Sequence, residues 1–172
     1  MLHVALWEPE IPPNTGNVAR LCAATGARLH LVGRLGFRLD ERSLRRAGID
    51  YWDAVDVVRH VTFDEFEAAL LSGRTPTVRE GVGTRPVAHA PCSPRLWVVE
   101  TPAARPYTRA DFADGDCLVF GGESRGLPPG VREKYAETLV GIPMPTGKVR
   151  SLNLATAVGV VLYEALRQLH DW

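Results

Sequence analysis

Cysteine is scarce in this 172-residue chain, lysine is scarcer, and net charge is absent. The cysteines, Cys22, Cys92 and Cys117, are odd in number and far apart, with no C-x-x-C pair. That pattern excludes a closed disulfide framework and argues against a zinc or thioredoxin-type centre. Cys22 and Cys117 lie in apolar stretches, where a thiol serves as a small hydrophobe. No apolar run approaches the roughly 20 residues of a membrane span. Met1–Trp7 is too short for a signal-peptide core and meets Glu8 and Glu10 at once, so a soluble cytoplasmic protein is expected. With 45% hydrophobic and 23% charged residues the chain is not disordered. Its length suits one domain over residues 1–172, burying roughly 70% of the unfolded surface. All but Lys134 and Lys148 of the 20 basic residues are arginine, whose planar fork suits phosphate.

Strand and helix alternate along the chain. Leu2–Trp7 reads as a strand. Proline keeps Glu8–Pro13 out of a helix, which then starts near Asn14, a good cap, and stops at Gly26. Further strands are expected at Arg28–Val32, Ala54–Val58, Leu96–Glu100, Cys117–Phe120 and Thr138–Ile142. Helices are expected at Asp40–Ala47, from the Thr62–Glu65 capping box to Leu71, near Arg109–Phe112 and after Pro128–Pro129. Residues 74–94 hold four prolines and two glycines and read as an exposed loop. From Leu152 to Leu169 an apolar stripe (Leu154, Val158, Val161, Leu162, Ala165, Leu169) marks the clearest helix. The fold class is therefore α/β, a mostly parallel sheet with helices on both faces.

Three segments put polar residues beside glycine or proline at element ends, where open parallel sheets bind ligands. They are Pro13–Arg20, Phe120–Leu127, and Ile142–Met144 leading to Arg150–Asn153. Gly122–Gly126 matches G-x-S-x-G, but Leu127–Pro128–Pro129 delays the helix a nucleophile elbow must launch, and only His170 lies downstream. Gly121 to Gly126 has P-loop spacing, yet Leu127–Pro128 stands where Lys-Ser/Thr is required. Neither a serine hydrolase nor a nucleotide hydrolase fits.

Together, N-x-G-N-x-x-R at Asn14–Arg20, F-G-x-E-x-x-G-L at Phe120–Leu127, and I-P-M followed by S-L-N-L-x-x-A resemble the three motifs of SPOUT-class RNA 2′-O-methyltransferases. Glu8–Asn17 and Leu44–Tyr51 are similar to the small tRNA wobble-nucleotide branch of that class. The resemblance implies a carboxyl-terminal trefoil knot, which pattern reasoning does not propose because knots are rare. It also implies S-adenosylmethionine as cofactor (S-adenosylhomocysteine as product), no metal, and a homodimer with a composite active site. By motif position Val99, Gly121, Ile142, Met144, Ser151 and Leu152 would line the cofactor site, and Asn14, Arg20, Glu123, Ser151 and Asn153 would form the catalytic set. The implied reaction is methyl transfer to the ribose 2′-hydroxyl of cytidine or uridine at tRNA position 34. Another tRNA position, ribosomal RNA, or a non-catalytic knotted RNA-binding module remain alternatives. Ala155 stands where relatives often carry serine, and Gly122 where they often carry proline.

No histidine lies in the three segments. Arg20 is a poor proton acceptor, because a guanidinium carries only donors. The expected role is to orient the target phosphate or ribose and stabilise the developing oxyanion. Glu123 could instead pair with Arg125 or Arg150, and Ser151 and Asn153 could simply cap the last helix. Arg42, Arg45 and Arg46 fall at i, i+3 and i+4, one helix face that suits either RNA phosphates or the helix dipole. Trp7, Tyr51 and Trp52 are candidates for stacking on unpaired bases, although buried packing is the favoured reading for Trp7.

Overall fold

A computed structural model describes residues 1–37, 54–72 and 94–170. The expected helix Asp40–Ala47 with Arg42, Arg45 and Arg46, the residues Tyr51, Trp52 and Cys92, and all of the 74–94 loop except Pro94 lie outside the described residues. Six parallel strands form the sheet: β1 His3–Trp7, β2 Arg28–Val32, β3 Val57–His60, β4 Leu96–Val99, β5 Cys117–Phe120 and β6 Leu139–Val140. Their order is β3-β2-β1-β5-β4-β6. The helices are α1 Pro12–Thr25, α2 Phe63–Leu71, α3 Pro129–Lys134 and α4 Leu154–His170, with 3₁₀ turns at Tyr107–Arg109 and Ala136–Thr138.

The strands are apolar on both faces, as a sheet covered on both sides requires. Successive residues alternate between two cores. Val4, Leu6, Trp97, Val99, Leu118 and Phe120 join α1 and α4 through Val18, Cys22, Val158 and Leu162. Ala5, Leu96, Val98, Cys117 and Val119 join α2 through Phe63, Phe66 and Leu70. Burial raises the Cys22 thiol to about 12 and pushes the Cys117 thiol well above its ordinary value, so both are inert apolar packing. At the amino ends of β4 and β5, buried Asp116 accepts from the Trp97 indole at 2.8 Å and from the Arg95 and Ala113 amides at 3.0 Å each.

Three histidines cross the α2 side of the sheet. His3 Nδ1 lies 2.9 Å from His30 Nε2, and His30 Nδ1 lies 3.0 Å from His60 Nε2, with neighbouring rings stacked 5.2 Å apart. Desolvation lowers all three, His3 to about 4 and His30 to about 2, so the stack is held neutral.

Several boundaries differ from expectation. Helix α1 begins at Pro12, not Asn14; Ile11 is its cap and makes no side-chain cap bond. Proline suits the first helical turn, where its missing N–H would have no partner anyway. Strand β3 is displaced toward His60, and β6 shrinks to two residues because Gly141 leaves the β4 ladder to donate to Arg105 O. The turn near Arg109 is 3₁₀ and ends at that residue. In α2, Thr62 caps Glu65 N as expected, while Glu65 reaches back to Val61 N rather than Thr62 N. Helix α4 starts at Leu154, capped by Asn153 Oδ1, which accepts from Ala155 N at 3.0 Å.

Candidate active site

A cleft of about 420 Å³ opens at the carboxyl ends of β4, β5 and β6, where the first turn of α1 meets the start of α4. Parallel strands end there in loops free to take polar and glycine residues, while their apolar bodies stay in the core. Every site residue expected from the sequence lines this cleft, apart from Arg20 and the arginines outside the described residues. Val99, Gly121, Glu123, Ile142, Met144, Ser151, Leu152 and Asn153 contribute from the second half of the chain, and Asn14 from the first. Arg20 is exposed on α1 and is not among the lining residues.

The polar wall is a chain of hydrogen bonds that joins the three motifs. Glu123 accepts from Glu10 N at 2.8 Å, Ile11 N at 3.2 Å and Asn14 Nδ2 at 2.9 Å. Asn14 Oδ1 in turn accepts from Asn153 Nδ2 at 2.9 Å. Glu123 can only accept, so its bond fixes the Asn14 amide, and the α4 cap fixes Asn153. Glu123 therefore does not pair with Arg125 or Arg150. Its two oxygens receive three donors near the positive end of α1. Asn14 caps nothing; at 7% exposure it is a buried bridge between the loop after β5 and α4.

A second clasp runs the other way. Glu10 accepts from Ser124 N at 3.0 Å and Ser124 Oγ at 2.6 Å, and these bonds hold its carboxyl below the usual range. Each loop thus offers a carboxylate to the other's amide. The turn between them is tight: a Cβ on Gly121 would stand 2.5 Å from Leu127 N, so no side chain fits. Gly126, at φ +66°, lies over Glu100, whose Oε2 accepts from Leu127 N at 3.2 Å. The antiparallel bridge Gly122–Gly126 closes a turn, not a nucleophile elbow.

Sequence reasoning passed over Glu100, Thr101, Arg125 and Arg150, which also line the cleft. Arg125 lies inside the second motif, so that signal was available; Glu100 follows directly on Val99 at the β4 terminus. The lining combines an apolar stretch (Val99, Ile142, Leu152, Leu154), carboxylates (Glu100, Glu123) and guanidinium groups (Arg125, Arg150). A nucleoside bearing an amino-acid tail matches that set, since its ring needs apolar walls, its ammonium an acid and its carboxylate a guanidinium. Among the described residues there is no cluster of three or more His, Cys, Asp or Glu suited to a metal ion. No helix among them is long and apolar enough to cross a membrane.

The chain is 41% identical over 170 residues to a tRNA (cytidine(34)-2′-O)-methyltransferase of Saccharophagus degradans, covering 98% of this chain and 96% of that protein. A structure solved for "Structural insights into the 2-OH methylation of C/U34 on tRNA" superposes with a TM-score of 0.82 at 44% identity, covering 100% of this chain and 98% of that one. The methyltransferase AviRb of Streptomyces viridochromogenes, solved with AdoMet, superposes at 0.76 with 26% identity, over 100% of this chain and 62% of its own. The SpoU rRNA Methylase family profile matches residues 1–163, and the chain belongs to that family.

Proposed function

We propose that this single-domain protein is a tRNA 2′-O-methyltransferase that modifies the wobble nucleotide, cytidine or uridine 34, using S-adenosylmethionine. The observation that carries the reading is the Glu123–Asn14–Asn153 chain, which draws all three motifs around one cleft. Relatives more than 40% identical over nearly their whole length are named tRNA (cytidine(34)-2′-O)-methyltransferase, and a solved structure 44% identical concerns 2-OH methylation of C/U34. AdoMet-bound neighbours in the same family support the cofactor.

When bound, the cofactor supplies a methyl group on a sulfonium, already reactive toward an oxygen nucleophile. The chain's residues then have three tasks. Val99, Gly121, Ile142, Met144, Ser151 and Leu152 would hold the nucleoside and exclude water from it. Glu123, Asn14 and Asn153 keep the loop after β5 and the start of α4 in register, so the cleft needs little reorganisation before reaction. Arg20 orients the ribose and stabilises the developing oxyanion, and the proton leaves to water or to a substrate phosphate.

Arg20 does not line its own chain's cleft; the reading follows the family resemblance in taking the protein as a homodimer in which each cleft receives this arginine from the other copy. The reading includes a carboxyl-terminal knot over the segment from β6 to α4, which gathers Ile142, Met144 and Ser151–Asn153 into the cleft. Arg42, Arg45 and Arg46 are assigned to the RNA backbone on their helical spacing. Mapping ribose methylation in total tRNA from cells with and without the protein tests the proposal. A lost mark at position 34, restored by purified protein with S-adenosylmethionine, is the expected result. An unchanged tRNA profile, or a lost mark in ribosomal RNA, overturns it.

A further inference from the structure

A second cleft, of about 360 Å³, lies against the first and shares Gly122, Arg125 and Gly126 with it. Only the loop after β5 separates them. The remaining walls come from Trp7 at the end of β1, from Glu8 and Glu10 just after it, and from Leu127, Pro128, Pro129 and Arg132 at the start of α3. Nothing in the methyl-transfer reading uses this space.

Its chemistry is specific. Trp7 is half-buried, with Phe63 against it in an edge-type contact 5.9 Å between centroids, so one part of the indole is anchored in the core while the residue also faces the cleft. Arg125 and Arg132 are exposed, and neither has an ion-pair partner among the described residues. Glu10 accepts from Ser124, and the charge of Arg125 also helps to hold its carboxyl below the usual range. The backbone beside Trp7 is strained: Glu8 holds φ +44°, and a Cβ on Gly122 would stand 2.7 Å from its carbonyl oxygen. Such strain in a non-glycine residue clusters at ligand sites. An anchored aromatic flanked by two exposed guanidinium groups, neither in a salt bridge among the described residues, matches an unstacked base with its phosphate.

We infer that the second cleft receives the nucleotide adjoining the methylated one in the single-stranded loop, its base on Trp7 and its phosphate between Arg125 and Arg132. This rests on the reading of the protein as an RNA 2′-O-methyltransferase. It makes target choice depend on the neighbouring nucleotide as well as the one methylated.

Binding of a labelled anticodon stem-loop RNA, titrated with salt, tests the inference alongside calorimetry with S-adenosylhomocysteine. Arg132→Gln, on an exposed helix position, lowers the log–log salt slope by about 0.7 and weakens RNA binding, with S-adenosylhomocysteine affinity unchanged. Trp7→Leu weakens RNA binding roughly tenfold at an unchanged slope, and Trp7→Phe restores most of it. An Arg132→Gln protein with wild-type slope and affinity overturns the inference, even if Trp7→Leu fails to fold. Wild-type protein that binds through Arg132 but transfers no methyl group refutes the enzymatic reading and leaves the cleft standing. Wild-type protein that does not bind the stem-loop refutes both.

Discussion

Replacing Asn14 by aspartate changes one nitrogen to oxygen and tests the central hydrogen-bond chain. Asn14 Nδ2 donates to Glu123 Oε1 at 2.9 Å from a position only 7% exposed. Two unit charges at that separation repel by about 6 kcal/mol at an effective dielectric of about 20. The pair escapes by keeping one proton, which for an aspartate of ordinary pKa costs about 4 kcal/mol at pH 7. Either route opens the junction between the loop after β5 and α4. Asn14→Asp is therefore expected to lower S-adenosylhomocysteine affinity and kcat/KM by at least tenfold, with a ceiling on the order of 10³. The defect has a signature in pH. Lowering pH from 8 to 6 favours the shared proton and recovers up to about tenfold per unit, whereas wild type has no such carboxyl pair. Adding Glu123→Gln removes the repulsion and restores part of the loss. Methyl transfer across that range, with calorimetry at both ends, provides the measurement. A variant within threefold of wild type at pH 8, with a flat profile, would refute the argument.

Three further outcomes are expected. Gly121→Ala places a carbon 2.5 Å from Leu127 N, so it should weaken S-adenosylhomocysteine binding at least tenfold; unchanged calorimetry would show that the turn yields. The histidine stack should make the fold acid-sensitive: with folded values below the unfolded 6.5, stability is full above that value and falls as pH drops toward 4, by about 1.4 kcal/mol per unit for each of His3 and His30, with His60 acting in the same direction. Urea unfolding at pH 7.5 and 5.5 reads this, and equal stabilities would contradict a neutral stack. Arg20→Ala should reduce kcat at least 100-fold with S-adenosylhomocysteine affinity unchanged, and mixing it with an Asn14→Asp protein should regain activity if clefts are shared between copies; no regain would count against that sharing.

What the sequence disclosed depended on how local the cause was. Strands β2 and β5 fall where expected because alternation and short apolar runs between turn residues are local signals. Asn14 was misread as a cap because its true partner, Glu123, lies 109 positions away and is reached only through the fold. A separation of 114 positions likewise hid the reciprocal Glu10–Ser124 clasp. Motif likeness supplied Asn14, Glu123, Ser151 and Asn153 together, which periodicity could not. Glu100 and Arg150 were missed because a single acid or arginine at an element end looks like any solvated charge. Their significance comes from the cleft they share.

Strand β6 offers only two residues at its edge of the sheet, and Gly141 is already turned away toward Arg105. An extended segment from another molecule would find almost no ladder to continue there. On that flank the protein is guarded against fibril-like stacking, so productive association has to be written in side chains rather than in backbone.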